Sequence, residues 1–351
     1  MKLLTPFVAW VFLFFFAGCQ DENTSPDNLV NWKKLGLDGK TINQLQLDGT
    51  RLYAATTSGL YTYETSANNA DFTLAGFANK NVQAVEILSS GEVMASLFDK
   101  SGTETPELYR SSNDGASWQA VEGFFGGDVA EPVIDLHQHP TQPNTLLASG
   151  FGVVAKSVDK GKTWSVLYGD WGMLATGVSV VTVNPNEPNQ LWAGGQGGIE
   201  NGFLLHSDNE TDWDIWSDLV SNPTVVKEIT FVPENPDQLF VGFEGALLKT
   251  TNGGATWRTL ISSEQHKFFF GVGVSTANKS RVYTGGWLKT ADPQPLILQV
   301  SNDGGDTWQD FEFKGERFGG IWEMLLTRKE DKDCLYLGLD KGGVYQVTVN
   351  N

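Results

Sequence analysis

The chain has 351 residues, a formal net charge of −18 and two cysteines. That acidity argues against nucleic acid and other polyanions as bulk partners, because both need a basic footprint. Two cysteines, at positions 19 and 334, leave stability to an apolar core rather than to a disulfide framework. In chain order, Lys2 precedes an apolar run from Leu3 to Phe16 and then Ala17-Gly18-Cys19. The pattern reads as a secretory signal with a small-residue cleavage site, too short to span a bilayer comfortably. Residues 20–28 are polar apart from Pro26 and read as a flexible tether. The expected organisation is a signal over 1–18, a tether over 19–30 and one folded unit over 31–351.

The folded unit is built on a repeat. Ser157 to Trp164 (SVDKGKTW) and Ser301 to Trp308 (SNDGGDTW) carry Ser, Asp, Gly, Thr and Trp at the same offsets. Thr250 to Trp257 (TTNGGATW) and Ser111 to Trp118 (SSNDGASW) are near copies, and Ser207 to Trp213 (SDNETDW) is a decayed one. Apolar runs flank the best copies, so each reads as a tight connection between antiparallel strands. Glycine there supplies a positive φ, and the Asp or Asn oxygen accepts backbone N–H groups within the turn. The tryptophans at 118, 164, 213, 257 and 308 are 46, 49, 44 and 51 residues apart. Each interval holds four strand signals, with a Pro-rich turn such as Asn184-Pro185-Asn186-Glu187-Pro188-Asn189 joining the first two in the best units. Regular self-similarity at this period marks a repeat architecture.

Seven such units can be counted, but the last, ending at Val344-Tyr345-Gln346-Val347, stops one strand short. Asn31-Trp32-Lys33-Lys34-Leu35 matches the strands that follow the repeat elsewhere, such as Thr163-Trp164-Ser165-Val166-Leu167. It therefore completes the last unit. The expected fold is all-β: a seven-bladed β-propeller of four-stranded antiparallel blades, closed by its N-terminal strand. Closure removes the sheet edges that an open array would expose.

The eight-residue motif resembles the Asp-box, or BNR repeat. The combination with Pro-rich turns resembles the sortilin-type and xyloglucanase-type propellers and the photosystem II assembly-factor family. This resemblance implies that Asp159, Gly161, Trp164, Asp303, Gly305 and Trp308 are structural clasps on the outer edge of the blades. The tail Phe16-Ala17-Gly18-Cys19 resembles a bacterial lipoprotein box, which implies cleavage before Cys19, lipidation of its thiol and retention on a membrane, here expected to be the outer membrane of the cell envelope. Gln20-Asp21-Glu22 is similar to acidic export signals of surface lipoproteins.

Function in such a ring is carried by the loops at one end of the channel. Those loops, after each second and fourth strand, gather Phe125, Phe151, Trp171, Glu200, Phe243, Trp287, Arg317 and Phe318 as candidate ligand-binding residues. Exposed aromatics among carboxylates and amides suit stacking on a glycan or anchoring a protein partner. The expectation is a monomeric binding protein rather than an enzyme. The alternative is a glycoside hydrolase of sialidase or xyloglucanase type, with Asp170 and Glu244 as the weak acid and base candidates. His137 and His139 share one face of a strand end without a third ligand, so no metal is expected, and no motif calls for a cofactor.

Overall fold

The computed structural model describes residues 30–350, except 68, 99–106, 126, 128–129, 170–176, 222, 264–265, 290–292, 314 and 316–318. The described residues form seven four-stranded antiparallel sheets, which are the blades of a propeller. The strands nearest the channel are Ile42–Asp48, Val82–Ile87, Asp135–Gln138, Gly177–Val183, Val226–Phe231, Lys267–Val274 and Ile321–Lys329, for blades 1 to 7. The second strand of each blade is almost wholly buried, as in Leu239–Phe243, because blades pack on both its faces. The outermost strands shorten to three residues in Asp214–Trp216 and two in Gln309–Asp310.

Blade-to-blade contact selects small residues at one position of the second strand. A β-carbon on Gly194 would lie 2.6 Å from Val226 Cγ1 of the next blade, and one on Gly285 would lie 2.6 Å from Ile321 Cγ2. Alanine or serine stands at the matching place in the first three blades, as at Ala55, Ser96 and Ser149. Gly338 of blade 7 meets Ile42 Cγ2 of blade 1 at the same 2.6 Å. The junction where the ring closes is thus packed like the others.

Closure follows the arithmetic of the sequence. Val30–Gly36 pairs antiparallel with Gly343–Val349, with Trp32 opposite Val347 and Lys34 opposite Tyr345. Leu35 is buried with Ile42, Leu45, Cys334, Tyr336 and Val344, so the added strand feeds a core shared by blades 7 and 1. Trp32 packs on Phe313 with ring centroids 5.0 Å apart. Cys334 is fully buried in that core and accepts a hydrogen bond from Gln346 Nε2 at 3.2 Å.

The repeated turns share one hydrogen-bond scheme. Asp159 Oδ1 accepts from Lys162 N at 3.0 Å and Thr163 N at 2.9 Å, and its Oδ2 accepts from Thr163 Oγ1 at 2.6 Å. Ser157 Oγ donates to Asp159 and accepts from Gly161 N at 2.7 Å, while Trp164 Nε1 donates to Gly161 O at 3.2 Å. Asp303 repeats these contacts with Ser301, Gly305, Asp306, Thr307 and Trp308. Asn113 and Asn252 keep the backbone acceptance, from Ser117 N and Thr256 N, both at 2.9 Å. Gly161 and Gly305 have φ of 76° and 99°, where a β-carbon would be strained.

If the N-terminal strand holds the ring, Leu35→Ala should destabilise the fold by about 2–4 kcal/mol through the cavity it leaves. Asn31→Ala on the exposed face of the same strand should stay within about 0.5 kcal/mol. Denaturant unfolding monitored by tryptophan fluorescence separates them, and a silent Leu35→Ala would count against closure as the stabilising element.

Candidate binding site at the channel mouth

Six inner strands carry a register shift at the same place: between Ile42 and Gln44, Val82 and Ala84, Val178 and Val180, Val226 and Glu228, Phe269 and Gly271, and Ile321 and Glu323. A bulge inserts one unpaired residue and re-aims its side chain. The inserted residues, Asn43, Gln83, Ser179, Lys227, Phe270 and Trp322, all line one channel cavity of about 910 Å³. Ile134 of blade 3 lines it at the matching place, just before Asp135 begins to pair. Phe98, Phe151 and Gln196, from the ends of second strands, line it too.

The mouth is chemically lopsided. On blades 6 and 7, Phe270 stacks on Trp322 at 4.5 Å, and Trp287 meets Trp322 edge-on at 4.9 Å and Phe268 at 5.2 Å. Trp287 Nε1 donates to Asp340 Oδ2 at 3.1 Å, which fixes the ring. The ammonium of Lys227 sits 5.1 Å over Phe270, and that of Lys289 sits 6.0 Å over Phe268. The rest of the ring mixes amides, from Asn43, Gln83 and Gln196, with the aromatic pair Phe98 and Phe151. Asn43 Nδ2 donates to Asn81 Oδ1 at 2.9 Å, and Gln196 Nε2 donates to Thr224 O at 3.1 Å.

Next to the inserted residues come Gln44, Asp135, Glu228 and Glu323, from blades 1, 3, 5 and 7, all lining the cavity. Gln44 Oε1 accepts from Val85 N of blade 2 at 2.7 Å, and Asp135 Oδ2 accepts from Val181 N of blade 4 at 3.0 Å. The backbone N–H of Leu45 in blade 1 favours the ionised form of Glu323. Glu86 accepts from Gln138 N of blade 3 at 2.7 Å and from Gln46 Nε2 at 2.8 Å. Asp135, Glu228 and Glu323 keep part of their surface open to the channel, yet protein walls them on the other sides. Burial pushes Glu86 and Glu228 up to about 8 and Asp135 up to about 6. Glu323 is raised well above the carboxylate range by burial and by the facing Glu228 and Asp135. Burial, with His139 nearby, holds His137 down to about 4, so its imidazole is neutral.

Of the residues expected from sequence, Phe151 stands at the mouth, 47% exposed and edge-on to Phe98 at 5.5 Å. Trp287 joins the aromatic wall, and Glu200 is exposed at a turn. Phe125 and Phe243 were expected to be open to a ligand but are buried. Phe125 packs edge-on to Trp164 at 5.4 Å, and Phe243 lies in the core between blades 4 and 5. Phe243 ends a second strand and Phe125 sits in a long connection, where apolar side chains also serve to seal one blade on the next. Glu244 is buried and accepts from His266 N at 3.0 Å, away from the cavity lining. His137 lines the channel, while buried His139 bonds Pro188 O at 2.8 Å. Asp170, Trp171, Arg317, Phe318 and Cys19 lie outside the described residues. The bulge residues escaped the sequence reading. Their signal is two successive non-apolar or aromatic residues breaking the alternation after an apolar one, as in Ile42-Asn43-Gln44 and Val226-Lys227-Glu228.

The pH dependence follows from two opposed groups of acids. The channel carboxyls bind protons more tightly folded than unfolded. Their contribution is complete below about pH 4, the unfolded range. It is lost as pH rises through about 6 for Asp135 and about 8 for Glu86 and Glu228. At Asp159 burial works upward, but the bonds from Thr163 and Ser157 prevail and hold it down to about 2. Its contribution is present above about pH 4 and lost as pH falls through the folded value. Thermal unfolding should therefore peak near pH 4–5 and fall toward pH 9, and Glu228→Gln should flatten the alkaline fall. A midpoint that climbs from pH 5 to 9 would contradict the assignment.

No protein-family model matches the chain. Among curated proteins it is 30% identical over 130 residues to the chloroplastic photosystem II stability/assembly factor HCF136 of Oryza sativa subsp. japonica, covering 36% of this chain and 28% of that one. It is 25% identical over 177 residues to a probable oligoxyloglucan-reducing end-specific xyloglucanase of Neosartorya fischeri, covering 45% of this chain and 21% of that one. The matches thus span less than a third of each relative's length. Among solved structures, the GH74 xyloglucanase of Xanthomonas campestris superposes with a TM-score of 0.69 at 13% identity, over 90% of this chain and 53% of that one. YCF48 bound to D1 peptide superposes with a TM-score of 0.60 at 15% identity, over 92% of this chain and 98% of that one. The extracellular domain of BT4673 from B. thetaiotaomicron reaches 0.63 at 11% identity, over 91% and 40%. The chain is a seven-bladed β-propeller, similar in fold to a GH74 xyloglucanase and to YCF48 and similar in part of its sequence to a photosystem II stability/assembly factor.

Proposed function

We propose that this propeller works by binding, taking a polypeptide segment of a protein partner at the channel mouth. The observation that carries the reading is the ring of channel-facing residues, in which an aromatic wall on blades 6 and 7 faces an arc that mixes side-chain amides with the Phe98–Phe151 pair. Aromatic faces bury apolar side chains, and side-chain amides both donate to and accept from an extended backbone. One solved neighbour, matched over nearly its whole length, is bound to a peptide. Phe151→Ala combined with Trp322→Ala should keep the circular dichroism of the fold and weaken retention of peptides from a random library tenfold or more, as loss of aromatic anchors does. Unchanged retention would remove the mouth from consideration. The same columns loaded with xyloglucan test the glycan alternative, and release of reducing ends tests the hydrolase alternative.

We further propose that the protein is exported and held on a membrane by acyl chains on Cys19. The support is the apolar run Leu3–Phe16 ending in Ala17-Gly18-Cys19, together with the extracellular placement of one neighbour. One acyl chain gives only reversible membrane binding, so firm retention needs more than one. In a bacterial host, Cys19→Ser should abolish incorporation of an alkyne-tagged fatty acid and move the protein to the soluble fraction. Label incorporation that persists in Cys19→Ser would refute the anchor.

A further inference from the structure

Two half-buried polar side chains open onto the channel. His137 and Gln83 both line the cavity, and neither makes a hydrogen bond among the described residues. Neutral His137 can accept through one ring nitrogen, and Gln83 can accept through its carbonyl. Beside them stand Asp135, Glu228 and Glu323, three carboxyls against one lysine, Lys227, among the described cavity-lining residues. Unpaired acceptors and carboxyls in a confined, acidic space complement a donor-rich cation, not an anion. The aromatic faces point the same way, because a ring face attracts a cation. Lys227 already places its ammonium 5.1 Å over Phe270, so this wall accommodates one.

We propose that the channel holds the cationic side chain of an arginine or lysine carried by the bound polypeptide. Glu228 and Glu323 serve as its counter-ions, the Phe270–Trp322 wall stacks against it, and His137 and Gln83 accept its remaining N–H groups. The proposal rests on the reading that the mouth takes a polypeptide. A planar guanidinium suits it better than an ammonium, since it stacks on aromatic faces and pairs bidentately with a carboxylate. A metal ion fits poorly, as no group of three or more His, Cys, Asp or Glu among the described residues is arranged to hold one. Burying a cation beside these acids favours their ionised form, so binding near pH 7 releases protons.

The test uses pentapeptide pools fixed at the central position to Arg, Lys, Gln or Glu and otherwise random, passed over the immobilised chain. Arg pools should be retained at least tenfold over Gln pools, with Lys between and Glu lowest. Calorimetry of the retained Arg peptides at pH 7, in buffers of different ionisation heat, should show proton release. Glu228→Gln with Glu323→Gln should remove the Arg preference and the proton release while aromatic-dependent retention survives. An unchanged melting profile at pH 5 shows that this variant folds. Equal retention of Arg and Gln pools, or an Arg preference that survives in the variant, overturns the proposal but leaves peptide binding standing. Retention of no pool by the wild-type chain overturns both.

Discussion

A sheet inside a ring still has an inner edge, and the N–H groups along it must find acceptors. Here the acceptors are side chains of the preceding blade. Gln44 serves Val85 and Asp135 serves Val181. Glu86 does the same for Gln138. These contacts explain why acids persist where burial costs free energy. Each couples one blade's register to the next, so a slip in one strand would strand a donor in its neighbour. The small residues of the second strands set how closely blades approach, and the side-chain acceptors set their height.

The same strands position the site. A bulge at one level of the ring frees a residue from pairing and turns it toward the channel, leaving blade packing intact. Its chemistry can then vary without disturbing the core, and it does. Asn43, Gln83 and Ser179 are polar, Lys227 is charged, and Phe270 and Trp322 are aromatic. Blade scaffold and channel lining therefore differ by one residue in register.

Much of the architecture can be read from residues alone, because its causes are local. The Ser-x-Asp-x-Gly-x-Thr-Trp turn has one set of hydrogen bonds wherever it occurs, and a Trp-led strand at one end fits the vacancy at the other. The mouth is harder to read. Phe125 and Phe151 look alike in sequence, yet one seals a blade junction and the other faces the opening, and only neighbours far along the chain decide which. Glu323 is likewise unremarkable until the ring closes and brings Glu228 and Asp135 opposite it. Properties set by a repeated local pattern, and by its count around the ring, were readable, and properties set by side-chain contacts between blades were not.

Cys334 adds a practical consequence. Its sulfur lies at the heart of the sheet that joins both ends of the chain, covered on every side. A thiol reagent can reach it only after that sheet parts, so the rate of modification counts how often the circle breaks. The molecule carries its own clock for the event that would turn a closed ring into an open, edge-exposed array.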